Sequence, residues 1–301
     1  MTRFLRLAAL ATLALPVTAA GPVPNRVEAV VLGIAQDGGV PQLGCRQKLC
    51  VDARRDPSKR RLVASLGLVD DRAGKRFVID ATPDFSEQVA RLGRLPDGIL
   101  LTHAHIGHYL GLAQLGREVV NARRLPVFCT PSMARFLREN LPWSRLVAQE
   151  NIEIREVEPG KEIALTDSLH VTPLNVPHRD EDSDTVAYVV SGPDRRLLWL
   201  PDIDKWEKWD RRIEDVVKTV EAAFLDGTFF SADEIPSRSL AEIPHPLVPE
   251  TVSLLSTEVR STKIFFVHLN HTNRLLWDRK EARRLLDKGF GIAAEGQRIG
   301  L

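Results

Sequence analysis

The chain has almost no surplus charge, few cysteines, few aromatic side chains and no internal apolar run of membrane-spanning length, and each shortage removes a class of protein. Forty-one Lys and Arg against 40 Asp and Glu leave a formal net charge of +1. No global field therefore draws the molecule to nucleic acid or to an acidic membrane surface. Three cysteines in 301 residues are too few to staple a disulfide scaffold. Beyond the N-terminus no stretch is long and apolar enough for a membrane helix. Aromatics contribute only 6%, but hydrophobic residues at 44% and charged residues at 27% are the proportions of an ordinary globular chain. Disorder, collagen and coiled coil are excluded, and no repeat or low-complexity tract is present.

The N-terminus has the organisation of a secretory signal. Arg3 and Arg6 open it, Leu7 to Leu15 form a mostly apolar run ended by Pro16, and small residues lead to Ala20. Such a segment is too short to span a bilayer. Residues 1–20 are therefore expected to be removed, leaving a single domain over 21–301 in the periplasm or outside the cell. Loss of Arg3 and Arg6 brings the mature charge to −1. In an oxidising compartment Cys45 and Cys50 are expected to form a disulfide or to remain two free thiols. A two-cysteine metal site is disfavoured because no third Cys or His lies nearby. Cys129, in Pro126-Val-Phe-Cys-Thr130, is expected inside a buried strand.

From Arg26 onward, short runs of Val, Ile and Leu alternate with turn residues. Strands are expected at Val27–Ile34, Leu62–Val69, Arg76–Ile79, Gly98–Leu101, Val127–Thr130, Ile152–Val157 and Leu169–Leu174. Helices are expected at Phe85–Leu92, Gly111–Arg117, Ser132–Asn140, Ile213–Ala222 and Arg279–Asp287. This interleaving without a linker reads as one α/β domain with sheets sandwiched by helices.

Chemistry concentrates where apolar strands end. Ile99-Leu-Leu-Thr is followed by His103, His105 and His108. In extended backbone, residues two apart point to the same side, so His103 and His105 are placed to grip one ion. His108, after Gly107 and near a helix start, faces a second position. Ile264-Phe-Phe-Val ends in His268, and apolar segments also lead into His178 and Asp202. Strand ends offering His, His, Asp and His converge along one edge of a sandwich, as a binuclear centre requires.

Thr102-His103-Ala-His105-Ile-Gly107-His108, with His178, Asp202 and His268 in order, resembles the metallo-β-lactamase superfamily, whose signature is His-x-His-x-Asp-His. Val31-Leu-Gly33 leading to Gly38-Gly-Val-Pro41-Gln42, Ala81-Thr-Pro83-Asp84, Leu225-Asp-Gly-Thr228 and His268-Leu-Asn-His-Thr-Asn273 are similar to its coenzyme PQQ synthesis protein B branch. Ribonuclease Z and the phosphodiesterase of phosphonate metabolism are that branch's relatives. The resemblance implies an αββα sandwich with the metal site at one edge of the sheets. It assigns one metal to His103, His105 and His178 and a second to His108 and His268, with Asp202 bridging. One or two zinc ions are implied, with manganese or iron(II) as alternatives.

Gly107 departs from the signature, since hydrolases of the superfamily carry there an Asp that helps hold the second ion. That ion is expected to bind more weakly unless Asp204 or Asp226 compensates. Typical members of the PQQ branch lack the two earlier histidines and the Asp at 202, so the tri-His set here is of the hydrolase type.

The resemblance implies hydrolysis of a small ester, lactone, amide or phosphodiester by water activated between two divalent ions, with no Ser or Cys nucleophile. Asp202 would hold and orient that water, and His245 is the candidate proton donor. His271 is expected to orient His268, and Asp80, Asp84 and Asp226 to orient ligand imidazoles. Trp199, Trp206 and Trp209 are expected to pack rather than wall a cleft, and Gly38-Gly39 to form a turn. The alternatives are an oxygen-activating non-haem iron protein, with iron around His108 and His268, and a non-catalytic small-molecule-binding relative. The neutral charge and the lack of a long insertion argue against a nucleic-acid substrate.

Overall fold

The alternation of apolar runs with turn residues resolves into two seven-stranded sheets in the computed structural model, which describes residues 26–234 and 244–301. The expected signal segment lies outside the described residues. The first sheet contains β1 (Val27–Gly33), β2 (Ser65–Asp70), β3 (Lys75–Ile79), β4 (Gly98–Leu100), β5 (Leu125–Cys129) and β6 (Ile152–Glu156) in that order. The second contains β7 (Ile163–Ala164), β8 (His170–Val176), β9 (Thr185–Ser191), β10 (Arg196–Leu200), β11 (Ala222–Asp226), β12 (Lys263–Val267) and β13 (Gly291–Ile292). The C-terminal β14 (Arg298–Gly300) pairs antiparallel with β1 and closes that edge of the first sheet.

Each sheet is buried on both faces, and β1 shows how two-residue periodicity achieves this. Val27, Ala29 and Val31 face the second sheet, joining Leu66, Leu68, Phe77, Tyr188 and Trp199 in the inter-sheet core. Val30 and Leu32 face outward into a layer with Phe85, Leu112, Met133, Leu137 and Leu146. That layer comes from α2 (Phe85–Leu92), a 3-10 turn at Leu110–Leu115, α4 (Pro131–Glu139) and α5 (Trp143–Ala148). Thr130 caps α4 by accepting from the Met133 amide, with Pro131 in the first turn, and α2 stops at Gly93 in a left-handed conformation. On the far side, α6 (Ile213–Val217), α7 (Val248–Leu254) and α8 (Arg279–Asp287) cover the second sheet. Two short helices, α1 (Lys48–Arg55) and α3 (Ile106–Tyr109), lie in connections near the strand ends. The layers are αββα, as expected. Each fully buried Val, Leu or Phe contributes roughly 1.5–3 kcal/mol by leaving water.

Two helix boundaries differ from the sequence expectation. The segment after Gly111 is the 3-10 turn rather than an α-helix. The helix from Ile213 stops at Val217 because Ala222-Ala-Phe-Leu-Asp226 is drawn into parallel pairing with β10 and β12. Cys45 and Cys50 are both free thiols, and Cys129 is buried at the end of β5. No helix among the described residues is long and apolar enough to cross a membrane.

Strand direction places the chemistry. β3 through β6 pair in parallel, as do β10 through β12, while β1 and β8 each run two antiparallel steps away from a strand of those sets. The C-terminal ends of β1, β3, β4, β8, β10, β11 and β12 therefore open at one edge. There Ala35 bridges in parallel to both Val63 and Leu269, so the connection after β1 stitches the two sheets together.

Candidate metal centre

Several strand ends deliver polar residues to this edge. Asp80 follows β3, His103 and His105 follow β4, His178 follows β8, Asp202 follows β10 and His268 follows β12, while Asp226 ends β11. His108 comes from α3, and Asp37 from the turn after β1. All of them except His105 and Asp37 are buried. His268 and Asp80 adopt left-handed backbone, with φ of 61° and 69°. Non-glycine residues hold that conformation at a cost of about 1–3 kcal/mol, a strain found chiefly at functional sites.

Asp202 is the hub. Its Oδ2 lies 3.4 Å from His103 Nε2 and 3.7 Å from both His108 Nε2 and His268 Nε2. Its Oδ1 lies 3.4 Å from His178 Nε2 and 3.1 Å from His245 Nδ1. His178 Nε2 and His105 Nδ1 face each other at 3.3 Å. Donors that share a tetrahedral ion at ~2.0–2.1 Å are themselves separated by ~3.3–3.4 Å, and these spacings match.

Among the described residues three groups of possible donors have ligand atoms within 4.8 Å of one another. They are His103, His105, His178 and Asp202; Asp37, His108 and His268; and Asp202, Asp226 and His245, the last already tied by the contact of His245 with Asp226. His103 Nε2, His108 Nε2, His268 Nε2, Asp37 Oδ1 and Asp202 Oδ1 are buried without a hydrogen-bond partner. Orphaned acceptors and imidazole nitrogens aimed at common points are costly unless cations satisfy them. The donor set therefore fits divalent metal.

The outer nitrogens of the imidazoles are held from behind. His108 Nδ1 is 2.7 Å from Asp80 Oδ2, whose carboxylate also accepts from the Thr102 amide and hydroxyl. Thr102 Oγ1 is 3.0 Å from His103 Nδ1. His268 Nδ1 is 2.9 Å from Thr228 Oγ1, which donates to Asp226. His178 Nδ1 lies 3.4 Å from Asp204, itself paired with Lys208. Such contacts fix ring orientation and tautomer.

Several expectations change here. His268 is oriented by Thr228, and not by His271, whose Nδ1 has no partner. Asp84 accepts from the Val63 amide and anchors a connection instead of an imidazole. Asp204 and Asp226 are engaged with His178 and His245, so neither compensates for Gly107. The carboxylate beside His108 and His268 is Asp37, at 3.5 and 3.7 Å. Asp37 is a site residue not anticipated from the sequence, although an Asp just beyond an apolar strand matches the pattern that singles out Asp202. Trp199, Trp206 and Trp209 lie in the core, with Trp206 donating to Thr251 and Trp209 to the Asn175 carbonyl.

Electrostatics favour the metal-ready forms. Burial and the neighbouring His108 push His103 well below the ordinary imidazole range. Burial opposes ionisation of Asp202 and Asp37, but the surrounding imidazoles hold both carboxyls well below their ordinary range. His245 is buried, which disfavours its charge, yet Asp226 at 2.8 Å and Asp202 together raise it to about 10. At that value His245 keeps its proton at neutral pH in the metal-free chain.

The family model for the β-lactamase superfamily domain matches residues 75–269. The chain belongs to that family. It is 27% identical over 304 residues to coenzyme PQQ synthesis protein B of Rhizobium meliloti, covering 90% of this chain and 97% of that one. The zinc-bound PqqB structure from Methylobacterium extorquens superposes with a TM-score of 0.77 at 21% identity, covering 91% of this chain and all of that one. A diphosphatase of the PhnP family superposes at 0.66 with 24% identity, covering 92% and 97% of the two chains. The fold is thus the metallo-β-lactamase fold, and a divalent metal accords with its zinc-bound relative.

Proposed function

We propose that the protein is an exported, metal-dependent hydrolase of a small ester, lactone, amide or phosphodiester. The observation that carries this reading is the placement of Asp202 between the two donor sets, with His245 against its outer oxygen. Divalent ions held there would supply Lewis acidity, lowering the pKa of a coordinated water and polarising the attacked group. His103, His105 and His178 would hold one ion, His108 and His268 the other, with Asp202 shared. Asp226 holds His245 by its Nδ1, which leaves the opposite ring nitrogen to protonate the leaving group. Zinc is the favoured ion, with manganese as the substitute.

Export rests on the Arg3 to Ala20 segment, and N-terminal sequencing of protein from the periplasm or medium is expected to begin near Gly21. The hydrolase reading is tested by screening the zinc-loaded protein against esters, lactones, amides and phosphodiesters. Metal-dependent turnover of at least one class is expected, and none in any class would overturn it.

The likeness to coenzyme PQQ synthesis protein B favours a second reading, in which a non-haem iron near His108 and His268 activates oxygen. Iron as the bound metal, with oxygen consumption on a tyrosine-containing peptide, would favour it over hydrolysis.

A further inference from the structure

The departure from the family signature at Gly107 has a spatial counterpart. A Cβ built on Gly107 would lie 2.0 Å from Asp37 Oδ1 and 2.8 Å from both Asp37 Cγ and Cα. No real side chain tolerates such an approach, so an Asp at 107 and the present Asp37 exclude each other from one space. We propose that Asp37 is the carboxylate ligand of the second metal, transferred from the first turn of α3 to the turn after β1. The proposal rests on the binuclear reading of the centre.

Three independent observations support the transfer. First, the donors are free. His108 and His268 direct Nε2 at Asp37 Oδ1 from 3.5 and 3.7 Å, while their Nδ1 atoms are occupied by Asp80 and Thr228. Asp37 Oδ1 and both Nε2 atoms have no hydrogen-bond partner.

Second, the other carboxylates are committed. Asp80 is bound by Thr102 and His108, and Asp226 by Thr228, His245 and the Ile203 amide, while Asp204 pairs with Lys208 through Oδ2 and turns Oδ1 toward His178, away from His108 and His268.

Third, the backbone holds Asp37 in place. The Gln36 amide donates to the Leu269 carbonyl and the Leu269 amide to the Ile34 carbonyl, at 3.0 and 2.8 Å. Asn270 also bonds the Gln36 side chain. Asp37 is then the second residue of a turn closed by the Gly39 amide on the Gln36 carbonyl at 2.7 Å, a position that Asp accepts readily. The residue next to His268 in space is therefore fixed by pairing with the residue next to His268 in sequence.

This predicts that the second ion does not bind weakly for want of a ligand, and that Gly107 is required to keep the space open. The test uses the mature protein, purified without chelators or an affinity nickel column and saturated with zinc. Elemental mass spectrometry and competitive zinc titration are run on the wild type, Asp37→Ala, Asp37→Asn and Gly107→Ala. About two zinc per chain is expected for the wild type and about one for Asp37→Ala. Because even an outer partner of a ligand is worth about 10–100-fold in affinity, Asp37→Asn is expected to weaken the second ion by at least that range. Gly107→Ala displaces the carboxylate and is expected to resemble Asp37→Ala. His103→Ala is expected to lose the other ion instead.

Two zinc ions held with unchanged affinity in both Asp37 variants would overturn the proposal, as would a wild type that binds only one at saturation. A fall from two to one in a protein that hydrolyses nothing would leave the ligand assignment standing and remove the hydrolase reading.

Discussion

The two halves of the metal centre are built in different ways. His103, His105 and the helix start that carries His108 occupy six consecutive residues after one strand, so their convergence follows from local backbone geometry. The partners Asp37 and His268 lie more than 200 residues apart, and only the bridge that runs from Val63 through Ala35 to Leu269 brings them together. Both donor sets need the sheets docked, because His178 after β8 and Asp202 after β10 complete the set begun by His103 and His105. The difference is that this set takes two donors from one strand end, whereas Asp37, His108 and His268 come from three separate segments.

The largest expected effects fall on the donor set that holds His103 and His178. Replacement of His103 or His178 by Ala is expected to remove one metal equivalent and lower kcat/KM by at least about 10³-fold, roughly 4 kcal/mol of transition-state stabilisation. Circular dichroism is expected to stay native. Full activity in either variant would break the equivalence drawn between the donor sets and catalysis. Next in size is His245→Gln, expected to lower kcat by about 10²–10⁴-fold while metal content stays constant. Loss of metal instead of rate would make His245 a ligand in place of a proton donor.

His245 also gives a signed pH effect on stability in the metal-free protein. Its imidazole is raised from 6.5 unfolded to about 10 folded, against burial, by Asp226 and Asp202. The stabilisation is full below the unfolded value and is lost as pH rises through the folded one. Urea midpoints of chelated wild type and His245→Gln are expected to differ most at mildly acidic pH and to converge as pH climbs past about 10. A gap that widens with pH would reverse the assigned charge state.

Smaller effects separate the supports from the ligands. Thr228→Val removes the group behind His268 and is expected to weaken one ion by about 10–100-fold, measured by zinc competition, while the ion at His103 is untouched. Smallest is Trp206→Phe. It loses the bond to Thr251, is expected to cost about 0.5–1.5 kcal/mol in denaturant unfolding, and should leave turnover unchanged. A change in KM would return that ring to the cleft wall.

The sandwich is legible in the sequence because each strand is a short apolar run, and each candidate ligand read there follows one. His103, His105, His108, His178, Asp202 and His268 all reach one edge for that reason. What spacing did not disclose was contact across sheets. Asp37 has no histidine within its own segment, and Thr228 sits in a motif whose use appears only when β11 lies beside β12. The helix expected to reach Ala222 stops at Val217 for the same cause, since pairing of Ala222–Asp226 with two neighbouring strands outweighs local preference.

The left-handed backbone of His268 carries one more consequence. A glycine there would relieve the conformation and remove a buried imidazole nitrogen that lacks a partner in the metal-free chain. Among variants sorted only for resistance to heat, without metal, substitutions at 268 should thus be enriched early. Durability and reactivity pull this position in opposite directions, and its histidine persists only where selection rewards the chemistry.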